Sequence, residues 1–211
     1  MLADNILYIG SGIYVTLQLL FGGICFGLVL AIIMTILRYK SKIAAALITC
    51  YISIFRGTPV ILQLSLFYFA LPQIIGINLE VISAGIIAFG LNSAAYLAEI
   101  LRSGINALPK GQFEAAKTLH IPTFRTWKDI ILPQAMRNVL PSLTGEMIAL
   151  LKETALISTI GGLDVMRKSQ AIAAEHFTYF TPLIIAGAYY YVMVLLIEFC
   201  GKKIEKKYAH Y

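Results

Sequence analysis

The stretch Ile13–Leu37, IYVTLQLLFGGICFGLVLAIIMTIL, is followed at once by Arg38, Lys40 and Lys42. It holds no charged residue, and the uncharged run reaches back to Asn5. A helix that crosses a bilayer needs about 20 predominantly apolar residues. The run is long enough, so lipid is the solvent this segment expects. The basic cluster behind it marks a cytoplasmic end, because cytoplasmic loops collect Lys and Arg. Ahead of it stand Asp4 and no basic segment, so the run reads as a retained span rather than a removed signal peptide.

The rest of the chain carries the same signature. Of 211 residues, 59% are hydrophobic and 13% charged, against roughly half and a quarter in soluble domains. The length suits one domain. A net charge of +6 would suit nucleic acid on a soluble background; here cytoplasmic loops account for it, and no nucleic-acid partner is expected. Cys25, Cys50 and Cys200 are widely spaced, without a CxxC or other metal-ligand pattern. They read as small packing residues, and neither a disulfide framework nor a bound metal is expected.

Further spans follow. Residues 43–55 are apolar, then Arg56-Gly57-Thr58-Pro59 interrupts, and the apolar run resumes to Leu71. Proline breaks a helix and pushes its predecessor out of the helical region. The pattern predicts an amphipathic leading helix, a break at Gly57–Pro59 and a crossing over 57–72. Crossings are also expected over 81–98, 141–160 and 182–200. The stretch 103–139, with Lys110, Lys117, Arg125, Lys128 and Arg137, is too polar to cross and forms a cytoplasmic loop; 202–211 is a basic cytoplasmic tail. With the N-terminus outside and the C-terminus inside, only Arg167 and Lys168 face outward, as the positive-inside rule requires. The expectation is an all-α integral membrane protein with five transmembrane helices.

Within the loop, Gly111–His120 reads as a short helix, with Phe113, Ala116 and Leu119-His120 at helical spacing. Glu114 sits in the first turn, where a carboxylate suits the helix dipole, and Pro122 stops the helix. Small Ala115 and Ala116 fit two readings: packing on the chain itself, or a helix laid in another protein's groove.

Glu114-Ala115-Ala116, with Ile131-Leu132-Pro133-Gln134-Ala135 further on, resembles the EAA loop of ABC importer permeases. Arg56-Gly57-Thr58-Pro59 with Gln63-Leu64, Asn92–Glu99, Arg102–Ile105 and Leu150–Thr154 are similar to the polar amino acid permeases of the histidine/glutamine type. The matches run in order through residues 13–201, which would be a type-1 ABC transmembrane domain with the type I importer fold. The resemblance implies a bacterial inner-membrane location and docking of Glu114, Ala115, Ala116, Lys117, Leu119 and His120 on an ATPase subunit. It further implies two ATPase copies, a second permease copy or related chain, and an extracytoplasmic amino-acid-binding protein. The sequence departs from the family pattern at His120 and near Gly145 and Ala155, where the family tends to have Gly, Asn and Ser.

ATP and magnesium would belong to the ATPase. The segment nearest a phosphate-cradling GxxxxGK[ST] loop, Gly162–Ser169, has Arg167 in place of the second glycine. No HExxH or GxSxG is present, so no enzyme is expected. The Arg167-Lys168 pair is either solvated or a contact for an acidic binding protein.

Ionisable groups within spans usually face a cavity or a partner. Asn92, Tyr96 and Glu99 share one helix face, and Glu99 can pair with Arg102 at i, i+3. Glu146 and Glu153 share another face, with Thr154 beside them. These seven residues are the expected substrate pathway. Arg102 would take an α-carboxylate and Glu153 or Glu99 an ammonium group; equally, the charges would neutralise one another in packing. The carboxylate excess leans toward an arginine- or glutamine-like substrate. An ion-driven secondary transporter is the rival for these charges, but it leaves the EAA-like helix unexplained.

Overall fold

The computed structural model describes residues 2–209; the last two residues of the 202–211 tail, including His210, lie outside the described residues. The order is α1 (Leu2–Gly10), α2 (Ile13–Lys40), α3 (Lys42–Gly57), α4 (Val60–Ile75, with a π-helical turn at Leu66–Ala70), α5 (Val81–Asn106) and α6 (Lys110–Thr118). A short turn of helix and a π-helical turn, Thr126–Ile131, lead into α7 (Leu132–Glu153), which tightens to a 3-10 helix over Thr154–Ile160. Helices α8 (Val165–Glu175) and α9 (Phe180–Ala209) complete the chain. Every regular element among the described residues is helical, as a bilayer requires of a chain that closes no barrel.

The uncharged run forms α2, 28 residues long, or about 42 Å at 1.5 Å per residue. It stops where Ser41 turns extended and caps α3, its hydroxyl accepting from the Ala44 N–H at 3.4 Å. Helix α3 stops at Gly57 and the chain resumes at Val60 with a bend of 102°. Among the described residues, Leu2–Lys40, Val81–Asn106 and Phe180–Tyr208 are long and apolar enough to cross a membrane, and the bent pair α3–α4 raises the number to four. The segment 141–160 differs from its sequence reading. Its helix begins at Leu132, with Pro141 inside it, and gives way to 3-10 geometry after Glu153. An interior proline marks a helix start poorly in membrane proteins, because neighbouring helices meet the freed backbone groups.

Helices α2 and α5 form the most extensive pairing of the fold. Their backbones meet through glycine. A Cβ on Gly27 would lie 2.9 Å from the Gly90 carbonyl oxygen and 3.2 Å from the Ala94 nitrogen. Small residues drive membrane helix packing by letting backbones approach, and Ala94, Ala95 and Ala98 continue the same buried strip. Gly27→Val is therefore expected to destabilise the protein by about 1–3 kcal/mol through overpacking, read as a lower melting temperature in detergent. Gly187→Val is the control, since nothing lies within 4 Å of a Cβ there. Above the crossing, Leu19, Leu20, Phe89, Leu150 and Ile157 form the larger core. The outer flanks of α2 and α9 expose Phe21, Val29, Ile33, Leu196 and Phe199, an apolar surface that suits lipid or a partner subunit.

Candidate functional site

The helix break leaves carbonyl groups at the end of α3 without intrahelical partners, and two amides meet them. Gln63 Nε2 donates to the carbonyls of Phe55 (2.9 Å) and Thr58 (3.2 Å) and to Thr58 Oγ1 (2.9 Å). Asn92 Nδ2 donates to Phe55 O (3.1 Å) and to Gln63 Oε1 (3.0 Å). Asn92 is thus buried and occupied in holding the break, and it does not line the cavity that Tyr96 and Glu99 share.

Tyr96, Glu99 and Arg102 do come together. They line a cavity of about 330 Å³ with Arg56, Asn138 and Ser142. Glu99 is its hub. Arg38, from the end of α2, donates to Glu99 Oε1 at 2.6 Å, and Arg102 donates through Nη2 and Nε to Oε2 at 2.7 and 3.0 Å. Charge-assisted bonds of this length are strong, so one carboxylate holds two guanidinium groups. Arg56 lies with its guanidinium 5.0 Å from the Tyr96 ring centroid, a cation–π contact.

The other pathway residues lie elsewhere. Glu146, on α7, accepts from Ser93 Oγ at 2.7 Å and sits within electrostatic reach of Arg56 and Glu153. Thr154 is fully buried and donates to the Leu151 carbonyl at 2.6 Å. Among the described lining residues the cavity has two guanidinium groups and one carboxylate, so the carboxylate excess counted along the sequence is not reproduced there. Arg56 comes from α3, and Asn138 and Ser142 from α7, where they stand at i, i+4; no spacing along the chain groups them with Arg56 or with α5. The sequence had singled out Arg56 only as part of its Arg-Gly-Thr-Pro motif.

In the loop, α6 turns Phe113 and Ala116 inward. Phe113 meets Trp127 edge-on at 6.0 Å, and Trp127 meets Tyr39 of α2 at 6.2 Å. Glu114, Ala115, Lys117, Leu119 and His120 are exposed. Leu119 is 71% exposed, which decides that this face is not covered by the chain itself. The helix ends in a Schellman motif: His120 has φ +51°, its N–H donates to Lys117 O (3.1 Å), and the Ile121 N–H donates to Ala116 O (3.0 Å). A left-handed non-glycine residue costs roughly 1–2 kcal/mol. Glycine offsets part of that gain with about 0.5–1 kcal/mol of chain entropy. His120→Gly should therefore tighten this cap by up to about 1 kcal/mol, seen as slower hydrogen exchange at Ile121, whereas His120→Val should speed it.

At the other end of the helices, Asp164 is fully buried. Its carboxylate accepts from the Arg167 N–H (2.8 Å) and from the Tyr190 hydroxyl (2.9 Å), joining α8 to α9. Burial pushes its pKa above the ordinary carboxylate value, and these bonds oppose that rise. Lys168 is not simply solvated: it lies over the Tyr8 ring at 5.1 Å and donates to Ser11 Oγ.

Long apolar helices, a polar cavity between them and a loop helix with an uncovered face define a membrane transport component. The profile of the binding-protein-dependent transport system inner membrane components matches residues 23–210. The putative glutamine transport system permease protein GlnP of Rickettsia conorii is 50% identical over 204 residues, covering 96% of this chain and 94% of that one. The arginine transport system permease protein ArtQ of Bacillus subtilis is 42% identical over 201 residues, covering 95% and 92%. Among solved structures, an amino acid ABC transporter with histidines superposes with a TM-score of 0.88 at 37% identity, over 95% and 94% of the two chains. An inward-facing MetNI methionine ABC transporter, 19% identical with a TM-score of 0.79, shares the fold. The chain belongs to the family of binding-protein-dependent transport system inner membrane components: it is a multi-pass inner-membrane permease subunit with the type I importer fold. Membership implies an ABC ATPase and a binding protein as partners.

Proposed function

We propose that this chain is the subunit through which a polar amino acid, glutamine- or arginine-like, crosses the inner membrane by alternating access. A separate ATPase drives it through α6 and the residues up to His120. The observation that carries this reading is the cavity joining Arg56, Tyr96, Glu99, Arg102 and Asn138, near the end of the helices from which the loop hangs. The names of the glutamine and arginine relatives support the substrate class. Arg56 is the better carboxylate ligand, because Arg102 is already spent on Glu99 by direct hydrogen bonds, while Arg56 makes a cation–π contact with Tyr96 and meets Glu146 only through longer-range attraction. Asn138 and Ser142 supply neutral polar groups for an amide or ammonium. Five spans, N-terminus out and C-terminus in, keep the loop and the basic tail in the cytoplasm. Two permease chains and two ATPase copies complete the transporter. ATP and magnesium stay with the ATPase.

The test is reconstitution of the permease with its ATPase in liposomes, scoring uptake across labelled amino acids with and without the binding protein. ATP-dependent uptake of one polar amino acid is expected. Uptake that ignores ATP and follows an imposed ion gradient would overturn the reading in favour of a secondary transporter. Orientation is checked separately by labelling Lys117→Cys, in a chain cleared of its own cysteines, with an impermeant maleimide. Reaction in inverted vesicles alone is expected.

A further inference from the structure

A second cavity, of about 630 Å³, opens between α2, α5 and α7 and is separate from the polar one. Its walls are Leu28, Ile32 and Ile36 of α2, Leu101 of α5, and Met136 and Leu143 of α7; Tyr39, Lys40 and Trp127 stand at one end. Thr35, also in the wall, spends its hydroxyl on the Ala31 carbonyl at 2.8 Å, so the wall beside it asks for no hydrogen bond. Its volume falls in the range of ligand pockets, roughly 300–1,000 Å³. No acidic residue lines it, and Lys40 has no ion-pair partner among the described residues.

The dimensions match those of a lipid chain. From Leu28 to Lys40 is about 18 Å along α2 at 1.5 Å per residue, close to half of the ~30 Å hydrocarbon core. A slot one leaflet deep fits an acyl chain. Tyr39 and Trp127 lie where aromatic rings gather at headgroup level, and Lys40 supplies a cation for a phosphate. Basic pockets between membrane helices on the cytoplasmic side are places where anionic headgroups settle. We infer that this groove binds one anionic phospholipid of the cytoplasmic leaflet, its chain along α2 and its headgroup phosphate at Lys40. The leaflet assignment rests on the orientation proposed above. Trp127 is a wall of the groove and the anchor of Phe113 in α6, so the bound lipid braces the root of the docking loop.

The test is native mass spectrometry of the permease–ATPase complex, titrated with phosphatidylglycerol and phosphatidylcholine of identical chains. The wild type should hold one phosphatidylglycerol per permease with about fivefold preference, which is about 1 kcal/mol. Lys40→Gln should erase the preference. Leu101→Trp should fill the slot and lose both lipids. Equal binding of the two lipids by the wild type would overturn the proposal, as would an unchanged preference in Lys40→Gln. A disulfide between two permeases through Ile36→Cys would also overturn it, by giving the groove to a second copy. Impermeant labelling of Lys40→Cys from the outer side would reverse the orientation alone, because the lipid preference is read without reference to side.

Discussion

Glu114→Lys is expected to bring ATP-driven uptake to background and to prevent co-purification of the ATPase, with membrane insertion and melting temperature unchanged. The side chain is exposed on α6, so the folded permease loses little. The effect falls on the face that carries Ala115 and the 71%-exposed Leu119. Losing a central contact in a helix-in-groove interface costs about 2 kcal/mol or more, roughly thirtyfold in affinity. Phe113→Ala is the informative contrast. It removes packing on Trp127, so it should lower stability of the loop and weaken docking together. Normal co-purification of the ATPase with the Glu114→Lys permease would sink the coupling assignment.

Arg56→Gln is expected to raise the substrate concentration needed for half-maximal uptake by roughly tenfold to a hundredfold, with assembly and ATPase binding intact. That is the size of about 1.5–3 kcal/mol for one hydrogen bond to a charged group. Arg102→Ala should behave differently. It frees one side of Glu99, whose other side stays on Arg38, so uptake should fall through both affinity and maximal rate, together with thermal stability. If Arg102→Ala shifts only the half-maximal concentration and Arg56→Gln shifts nothing, the carboxylate ligand is Arg102 as its sequence position first suggested. Transport assays on the two variants at graded substrate concentrations separate these outcomes.

What the sequence made legible was local. The uncharged run over 13–37 became most of α2, and Gly57-Thr58-Pro59 interrupted the helix because proline and its predecessor cannot continue one. The short helix before Pro122 was likewise written in neighbouring residues, whereas the left-handed position of His120 had its one sign in the glycine that the family tends to have there. The cavity was half legible. Tyr96, Glu99 and Arg102 lie within two turns of α5 and were grouped by helical spacing. Arg38, 61 residues from its partner Glu99, and Arg56, Asn138 and Ser142 come from other helices, and only three-dimensional packing brings them together. Asn92 shows the converse: its spacing fits the same face, yet carbonyls freed by the break lie nearer and claim its amide. The glycine crossing of α2 and α5 was also missed, although Gly23 and Gly27 stand four residues apart, a spacing that favours close helix contact in membranes.

The amides at the elbow between α3 and α4 bear on how the protein can move. An interrupted helix with free carbonyls would be a pivot, since nothing fixes the angle between its arms. Here Gln63 reaches back from one arm to the other, and Asn92 bolts both to α5. The 102° corner is thus an angle bracket: a push on α3 is delivered to α4 as a turning moment instead of being absorbed in a bend. The Ser41 joint is itself spanned by the bond from Arg38 Nη2 to Thr49 Oγ1 at 3.2 Å, so compliance has to come from the Gly76–Glu80 connection, and α3 with α4 is held as one piece.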